Sequence, residues 1–143
     1  MDITTRIRDS FAKQGLMTTL GASLGSVAPG AVEIVLVPSP TISQQHGFVH
    51  AGAVSAIADS AAGYSALSLM PEDAGVLTTE FKINLVAPAV GELIIARGRV
   101  VKSGRTLTLT QSDVFAVSNG QERLVALLTA TMMTLRGREG VSD

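Results

Sequence analysis

One carboxylate, Asp59, lies inside a long run of small and apolar residues that extends from Ala51 to Met70. Such a run predicts a buried helix, and a buried carboxylate is costly unless it is paired or takes part in chemistry. Among Ala and Ile the carboxylate should be poorly solvated, which raises its pKa and its strength as a base. Asp59 is therefore a candidate general base or nucleophile, although the run alone leaves open that it lies on a solvated stripe of the helix.

The segment that enters this helix supplies hydrogen-bond donors. Ala51 and Gly52 fall in the first helical turn, where backbone N–H groups have no helical acceptor and favour anionic oxygen. Their small side chains let a carbonyl group approach the backbone, and Gln44 offers an amide that can orient water or that carbonyl. A base combined with an amide and free backbone donors is what attack on a carbonyl group requires.

The two histidines of the chain, His46 and His50, are four residues apart. Gly47 opposes a helix between them and no third ligand is apparent, so the pattern argues against a metal site. We interpret His50 as a structural residue that bonds loop backbone, and its role as a rival base stays open. The sequence predicts neither a metal nor an organic cofactor.

Composition narrows the class of protein. The chain has 143 residues, of which 46% are hydrophobic and 16% charged, which predicts a single domain over 1–143 with apolar surface left for an oligomer interface. A net charge of −1, with four Phe, one Tyr and no Trp, argues against a nucleic-acid surface. The sequence shows neither a membrane span nor a signal-peptide core, and it has no cysteine for disulfides, thiolate metal sites or a thiol nucleophile. We expect a cytoplasmic oligomer.

The remaining elements follow from periodicity. Residues 1–15 predict an amphipathic helix, the stretch AVEIVLVPS predicts a strand, and four strands follow Pro71, with a hairpin at Asn119-Gly120. Tight turns between these strands predict an antiparallel meander, and residues 137–143 are expected to fray. One long helix against a curved antiparallel sheet of five or six strands belongs to the α+β class.

The order of elements and the segment around Asp59 together resemble the hotdog-fold acyl-CoA thioesterases, in particular their PaaI-like branch. That branch carries a loop Asn or Gln, a Gly, a His-Gly-Gly and an acidic residue on the central helix, and a later N-x3-AP-x2-GE stretch also fits. Ala51 replaces the first Gly of His-Gly-Gly. A loop Gln is similar to the related 4-hydroxybenzoyl-CoA thioesterases, which pair it with Glu. The matching positions are Gln44, Gly47, His50-Ala51-Gly52, Asp59 and 84–92.

The resemblance implies hydrolysis of an acyl-CoA to the free acid and coenzyme A. Asp59 then acts as base or nucleophile with Gln44 and the amides of Ala51 and Gly52, and Thr78 contacts the attacking water. Substrate-contacting positions are also implied, namely Gly47, Phe48 and His50. A non-catalytic acyl-CoA-binding module is the main alternative. A hotdog hydratase or dehydratase is a weaker one, because the His-Phe-Pro of those dehydratases is missing.

The spacing of these residues also bears on assembly. Asp59 is eight residues beyond Ala51, about 12 Å along a helix axis, which is too far for both to touch one thioester carbon. In the resembling families a two-fold dimer closes this gap. We therefore expect active sites shared between two chains of a homodimer, or of a dimer of dimers.

Overall fold

A computed structural model describes residues 1–143, which form three α-helices, a short 3-10 turn at Pro40–Ile42 and six strands. The helices are α1 (Ile3–Ala12), α2 (Gly15–Leu20) and α3 (Ala51–Leu67). The strands are β1 (Ala22–Ala28), β2 (Ala31–Leu36), β3 (Gly75–Leu85), β4 (Leu93–Lys102), β5 (Leu107–Ser118) and β6 (Gln121–Leu135).

The strands make one antiparallel sheet in the order β1-β2-β4-β5-β6-β3, with β1 and β3 at its edges. The predicted fold, one long helix wrapped by five or six antiparallel strands, is confirmed. The prediction of an uninterrupted meander after Pro71 was wrong for β3, which pairs with β6 and not with β4. The β3–β4 connection, residues 86–92, is too long for a tight hairpin and lets the chain cross to the other side of β5 and β6.

Helix α3 lies at the centre of the molecule. Eleven of its 17 residues are buried, and it contacts every strand from β2 to β6. Small residues let the sheet come close: a Cβ at Gly98 of β4 would overlap the carbonyl oxygen of Ala61, and the hydroxyl of Ser112 donates to the carbonyl of Ala58 at 2.7 Å. The helix ends at Leu67, three residues before the predicted end at Met70. Its residues join a core of 26 buried apolar residues.

The hairpin between β5 and β6 turns at Asn119 and Gly120, whose φ angles of 52° and 73° are both positive. Two positive φ angles are what a tight two-residue hairpin requires, so the Asn-Gly prediction is confirmed. Strand β1 has no such signal, because Gly25 and an irregular register between Leu24 and Val27 interrupt it, and its residue pattern does not predict a strand.

The N-terminal segment covers one end of α3. The expected single helix over 1–15 is divided, since α1 ends at Ala12 and Gly15 begins α2. The buried guanidinium of Arg6 donates hydrogen bonds to five backbone carbonyls, which are those of Leu67, Met70, Pro71, Ala74 and Asp143. These bonds join α1 to the end of α3 and to the loop that leads into β3. None of the helices combines the length and the apolarity that crossing a membrane requires.

The C-terminal residues differ from the expectation of a frayed end. The carboxylate of Asp143 accepts hydrogen bonds from the hydroxyl of Ser10 at 3.1 Å and from the amide of Val76 at 2.9 Å. Val141 packs against Gly75, where a Cβ would approach its side chain to 2.9 Å. The last residues therefore fasten α1 to the start of β3.

Candidate active site

The Asp59 side chain projects from α3 toward strand β3 and is half-buried. Its Oδ1 atom accepts a hydrogen bond of 2.7 Å from the hydroxyl of Thr78. Desolvation by burial raises the pKa of Asp59 above its ordinary value, and the Thr78 bond offsets part of that rise because it favours the ionised form. Asp59 is therefore a carboxylate of raised basicity held in one orientation.

A cavity of about 420 Å³ opens beside Asp59, between α3, β3 and the junction of α1 with α2. We call it the Asp59 cavity. Most of its lining residues are polar: Ser10, Lys13, Gln14, Asp59, Ser60, Gly63, Tyr64, Val76, Leu77, Thr78 and Asp143. A carboxylate that faces a cavity of this size can contact a bound molecule. This position favours the interpretation of Asp59 as a functional residue over that of a carboxylate on a solvated stripe of the helix.

Gln44 is held by the loop that precedes α3. Its side-chain carbonyl accepts the amides of His46 and Phe48, while its own backbone N–H donates to the carbonyl of Phe48 at 2.8 Å. The turn closes at Gly47, whose φ of 84° lies in the left-handed region. Since the carbonyl oxygen is occupied, the NH₂ group is the part of the Gln44 side chain that remains free to donate.

His50 is the N-cap of α3. Its Nδ1 atom accepts the amide of Gly52 at 2.7 Å, and its carbonyl accepts the amides of Ala53 and Val54. The predicted use of Gly52 as an oxyanion donor therefore needs correction, because its N–H is already bonded to the imidazole. The N–H of Ala51, one residue earlier, has no acceptor within the chain and stays available.

A second cavity, of about 480 Å³, lies at the start of α3, and we call it the Ala51 cavity. Gln44, Phe48, His50 and Ala51 all line it, together with mainly apolar residues: Val49, Val54, Leu85, Val86, Ala87, Pro88, Ala89 and Val125. Gly47 does not line it and acts through the turn. The chain thus brings the predicted donors together in one cavity and Asp59 with Thr78 in another.

No group of three or more His, Cys, Asp or Glu side chains is placed to hold a metal ion. The rings of His46 and Phe48 are tilted by 45° with centroids 6.4 Å apart, and His50 uses Nδ1 for the N-cap bond to Gly52.

Apart from Asp59 and Thr78, none of the polar residues that line the Asp59 cavity was predicted from the sequence. Gln14 donates to the hydroxyl of Tyr64 at 2.9 Å although 50 residues separate them. Neither residue belongs to a local motif, so no sequence signal could have paired them.

The chain was compared with known proteins. The profile of the Thioesterase superfamily matches residues 46–122, more than half of the chain. The crystal structure of a thioesterase family protein from Silicibacter pomeroyi is 50% identical, covers 94% of this chain and 99% of its own, and superposes with a TM-score of 0.92.

Two more distant relatives extend the comparison. A 1,4-dihydroxy-2-naphthoyl-CoA hydrolase from Listeria monocytogenes is 24% identical over 125 residues, which is 87% of this chain and 99% of that protein. The E. coli PaaI protein of the phenylacetic acid degradation operon is 17% identical, covering 98% of this chain and 95% of its own, with a TM-score of 0.81. The likeness to PaaI is one of fold.

Proposed function

The chain belongs to the thioesterase superfamily and is a thioester hydrolase, and we propose that it hydrolyses acyl-CoA thioesters with Asp59 as the reacting carboxylate. The observation that carries this proposal is the half-buried Asp59, held by Thr78 at the wall of a cavity, with a pKa raised by burial. The hydrolase from Listeria monocytogenes supports a coenzyme A thioester as the substrate class.

Two chemical routes use the same groups. As a general base, Asp59 takes a proton from water while the water oxygen attacks the thioester carbonyl. As a nucleophile, Asp59 forms the bond to that carbon itself, and water hydrolyses the resulting anhydride. In the general-base route the C–S bond breaks and the coenzyme A sulfur takes the proton that Asp59 removed from water. In the nucleophile route the sulfur leaves as a thiolate, and the water that hydrolyses the anhydride supplies its proton and restores the Asp59 carboxylate. The negative charge that develops on the carbonyl oxygen is stabilised by the free N–H of Ala51 and the NH₂ group of Gln44.

These donors must come from a second chain, because Ala51 lies about 12 Å along α3 from the Asp59 of its own helix. Strand β3 is the surface through which two chains can pair. It is an edge strand of 11 residues, paired on one side only, and it exposes the apolar side chains of Leu77, Phe81 and Leu85. A free, apolar edge of this length is suited to pairing with another strand.

Antiparallel pairing of β3 with its own copy would join the two cavities. A two-fold axis between Phe81 and Lys82 would place Thr78 of one protomer opposite Leu85 of its partner. Thr78 holds Asp59, and Leu85 lines the Ala51 cavity. One pairing thus brings each Asp59 to the partner's Gln44 and Ala51, twice per dimer, as two-fold symmetry requires. A dimer of dimers would keep these sites.

The test is turnover of a panel of acyl-CoAs by the wild type and by Asp59→Asn, with release of the thiol followed. Loss of a general base lowers the rate by roughly 10²–10⁴. Asp9→Asn, a change of the same kind at an exposed position on α1, is the matched control. Wild-type turnover by Asp59→Asn would show that Asp59 is wrongly assigned. Tight binding of acyl-CoAs by a wild type that hydrolyses none of them would favour the acyl-CoA-binding module.

We also propose that the reaction needs no metal or organic cofactor, since Asp59 and the amide donors supply a base and an oxyanion site. Dialysis of the wild type against a chelator should leave turnover intact. Activity lost to the chelator and restored by Zn²⁺ would contradict this.

A further inference from the structure

The Asp59 cavity continues beyond the carboxylate to the junction of α1 and α2, where Lys13 and Gln14 line it. If the thioester reacts at Asp59 as proposed above, the space beyond the carboxylate receives the acyl group. The polar groups at the α1–α2 end of the cavity then determine which acyl groups fit. This inference therefore rests on the proposed function and deepens it.

A chain of hydrogen bonds fixes those groups. The hydroxyl of Ser10 donates its one proton to Asp143, so its 3.2 Å contact with Tyr64 is a bond that the Tyr64 hydroxyl donates. The Tyr64 oxygen in turn accepts one N–H of Gln14 at 2.9 Å, and the Gln14 carbonyl accepts the Ser60 hydroxyl at 3.4 Å. Each hydrogen bond in this series therefore has a defined donor and a defined acceptor.

Two hydrogen-bond donors at the α1–α2 end of the cavity remain available to a ligand. The Gln14 amide has two N–H groups, and only one is used by Tyr64. The Lys13 ammonium forms no ion pair. The free groups at the α1–α2 end are thus donors, which require an acceptor on the ligand. The carboxylates of Asp59 and Asp143 line the same cavity and outnumber the Lys13 ammonium, so a neutral oxygen is favoured over a carboxylate.

The length of the space is set by the helix. Gly63 lies four residues beyond Asp59, about 6 Å along the axis, which is the span of one six-membered ring or a short alkyl chain. Gly63 leaves the floor open, since a Cβ there would meet nothing closer than the Met132 sulfur at 3.9 Å. The α1–α2 junction beyond Gly63 is held in place, because the Arg6 guanidinium on α1 donates to the carbonyls of Leu67 and Met70 at the end of α3.

We propose that Gln14 is a specificity-determining residue of this thioesterase. Its free N–H donates to a neutral oxygen at the far end of a short acyl group, and the α1–α2 junction excludes long alkyl chains.

The experiment compares kcat/KM for 4-hydroxybenzoyl-CoA and 4-methylbenzoyl-CoA, whose para groups are alike in size but differ in polarity. We expect the wild type to prefer the hydroxyl compound by roughly fivefold, the worth of one neutral hydrogen bond at a half-buried site. Gln14→Met and Gln14→Leu both remove the donor without adding an acceptor for the hydroxyl, and both should bring the ratio near one. Gln121→Met, an exposed position on the β5–β6 hairpin, is the matched control and should keep the wild-type ratio.

The other outcomes are as decisive. If the Gln14 variants keep the wild-type ratio while Asp59→Asn still abolishes turnover, the inference is wrong and the proposed function stands. Dodecanoyl-CoA hydrolysed as well as benzoyl-CoA would overturn the exclusion of long alkyl chains, and a preference for 4-carboxybenzoyl-CoA would overturn the neutral acceptor. If the wild type hydrolyses no acyl-CoA, the proposed function fails and takes the inference with it.

Discussion

Thr78→Val tests how the environment of Asp59 controls its ionisation. The hydroxyl of Thr78 donates a 2.7 Å hydrogen bond to Asp59, and valine keeps the branched shape of threonine without the donor. Burial raises the pKa of Asp59 and the Thr78 bond lowers it. Removing the bond should therefore raise the pKa further and shift the acidic limb of the pH–rate profile to higher pH.

The size of the effect follows from the bond that is lost. A hydrogen bond to a charged group contributes about 1.5–3 kcal/mol, and the exposure of Thr78 to solvent favours the low end. About 1.5 kcal/mol corresponds to roughly a tenfold change in the ionised fraction of Asp59. On the acidic limb kcat/KM should fall by that factor. The loss should shrink at higher pH, where Asp59 is ionised in both proteins.

The assay is kcat/KM from about pH 5 to about pH 9, followed by loss of thioester absorbance. Thr79→Val is the matched control, because the Thr79 hydroxyl donates to the carbonyl of Thr131 and not to Asp59. The reasoning is refuted if Thr78→Val loses the same factor at every pH, or if its acidic limb coincides with that of the wild type.

Three further predictions concern stability, and urea or thermal unfolding checks each of them. The folded pKa of Asp59 is raised, so its contribution to stability falls as pH rises from the ordinary carboxylate value of 3.8 through the raised pKa. Asp59→Asn should therefore unfold at a higher temperature than the wild type near pH 8, and this gain should vanish below about pH 3, where the folded and unfolded states are both protonated. A constant gain at both pH values would contradict this sign. Gly98→Ala should lose about 1–3 kcal/mol because its Cβ overlaps the α3 backbone, whereas Gly15→Ala, with open space around it, should lose much less; equal losses would show that the close approach is relaxed. His50→Ala should lose about 1 kcal/mol with the N-cap bond to Gly52, and His50→Asn, which restores an acceptor, should lose less; similar losses would mean that the cap is unimportant.

Local signals account for much of the fold. The run of small residues predicts α3, since alanine favours helices and the apolar character demands burial. The Asn119-Gly120 pair predicts its hairpin because both residues adopt positive φ readily. Strand β3 was predicted by its alternation, but its place beside β6 was not. A strand's period specifies its two faces and says nothing of its neighbour when the connection is longer than a turn.

In the candidate site, too, local sequence predicts some features, and others depend on tertiary packing. The spacing of Gln44, Ala51 and Asp59 follows from the sequence because all three belong to one loop and helix. The capture of the Gly52 amide by the His50 imidazole depends on a side-chain rotamer, which spacing does not specify. The Gln14–Tyr64 bond joins residues 50 positions apart and follows only from the packing of the α1–α2 junction on α3.

Complementation between two inactive chains tests the shared active site most directly. Asp59→Asn and Gln44→Ala chains, each nearly inactive alone, are refolded together, and chain exchange is verified by mass. Random pairing makes half of the dimers mixed, and each mixed dimer has one intact and one doubly altered site. Roughly a quarter of all sites should therefore recover wild-type turnover. If the exchanged mixture shows only the sum of the two residual activities, Asp59 does not work with the loop and helix start of a partner chain.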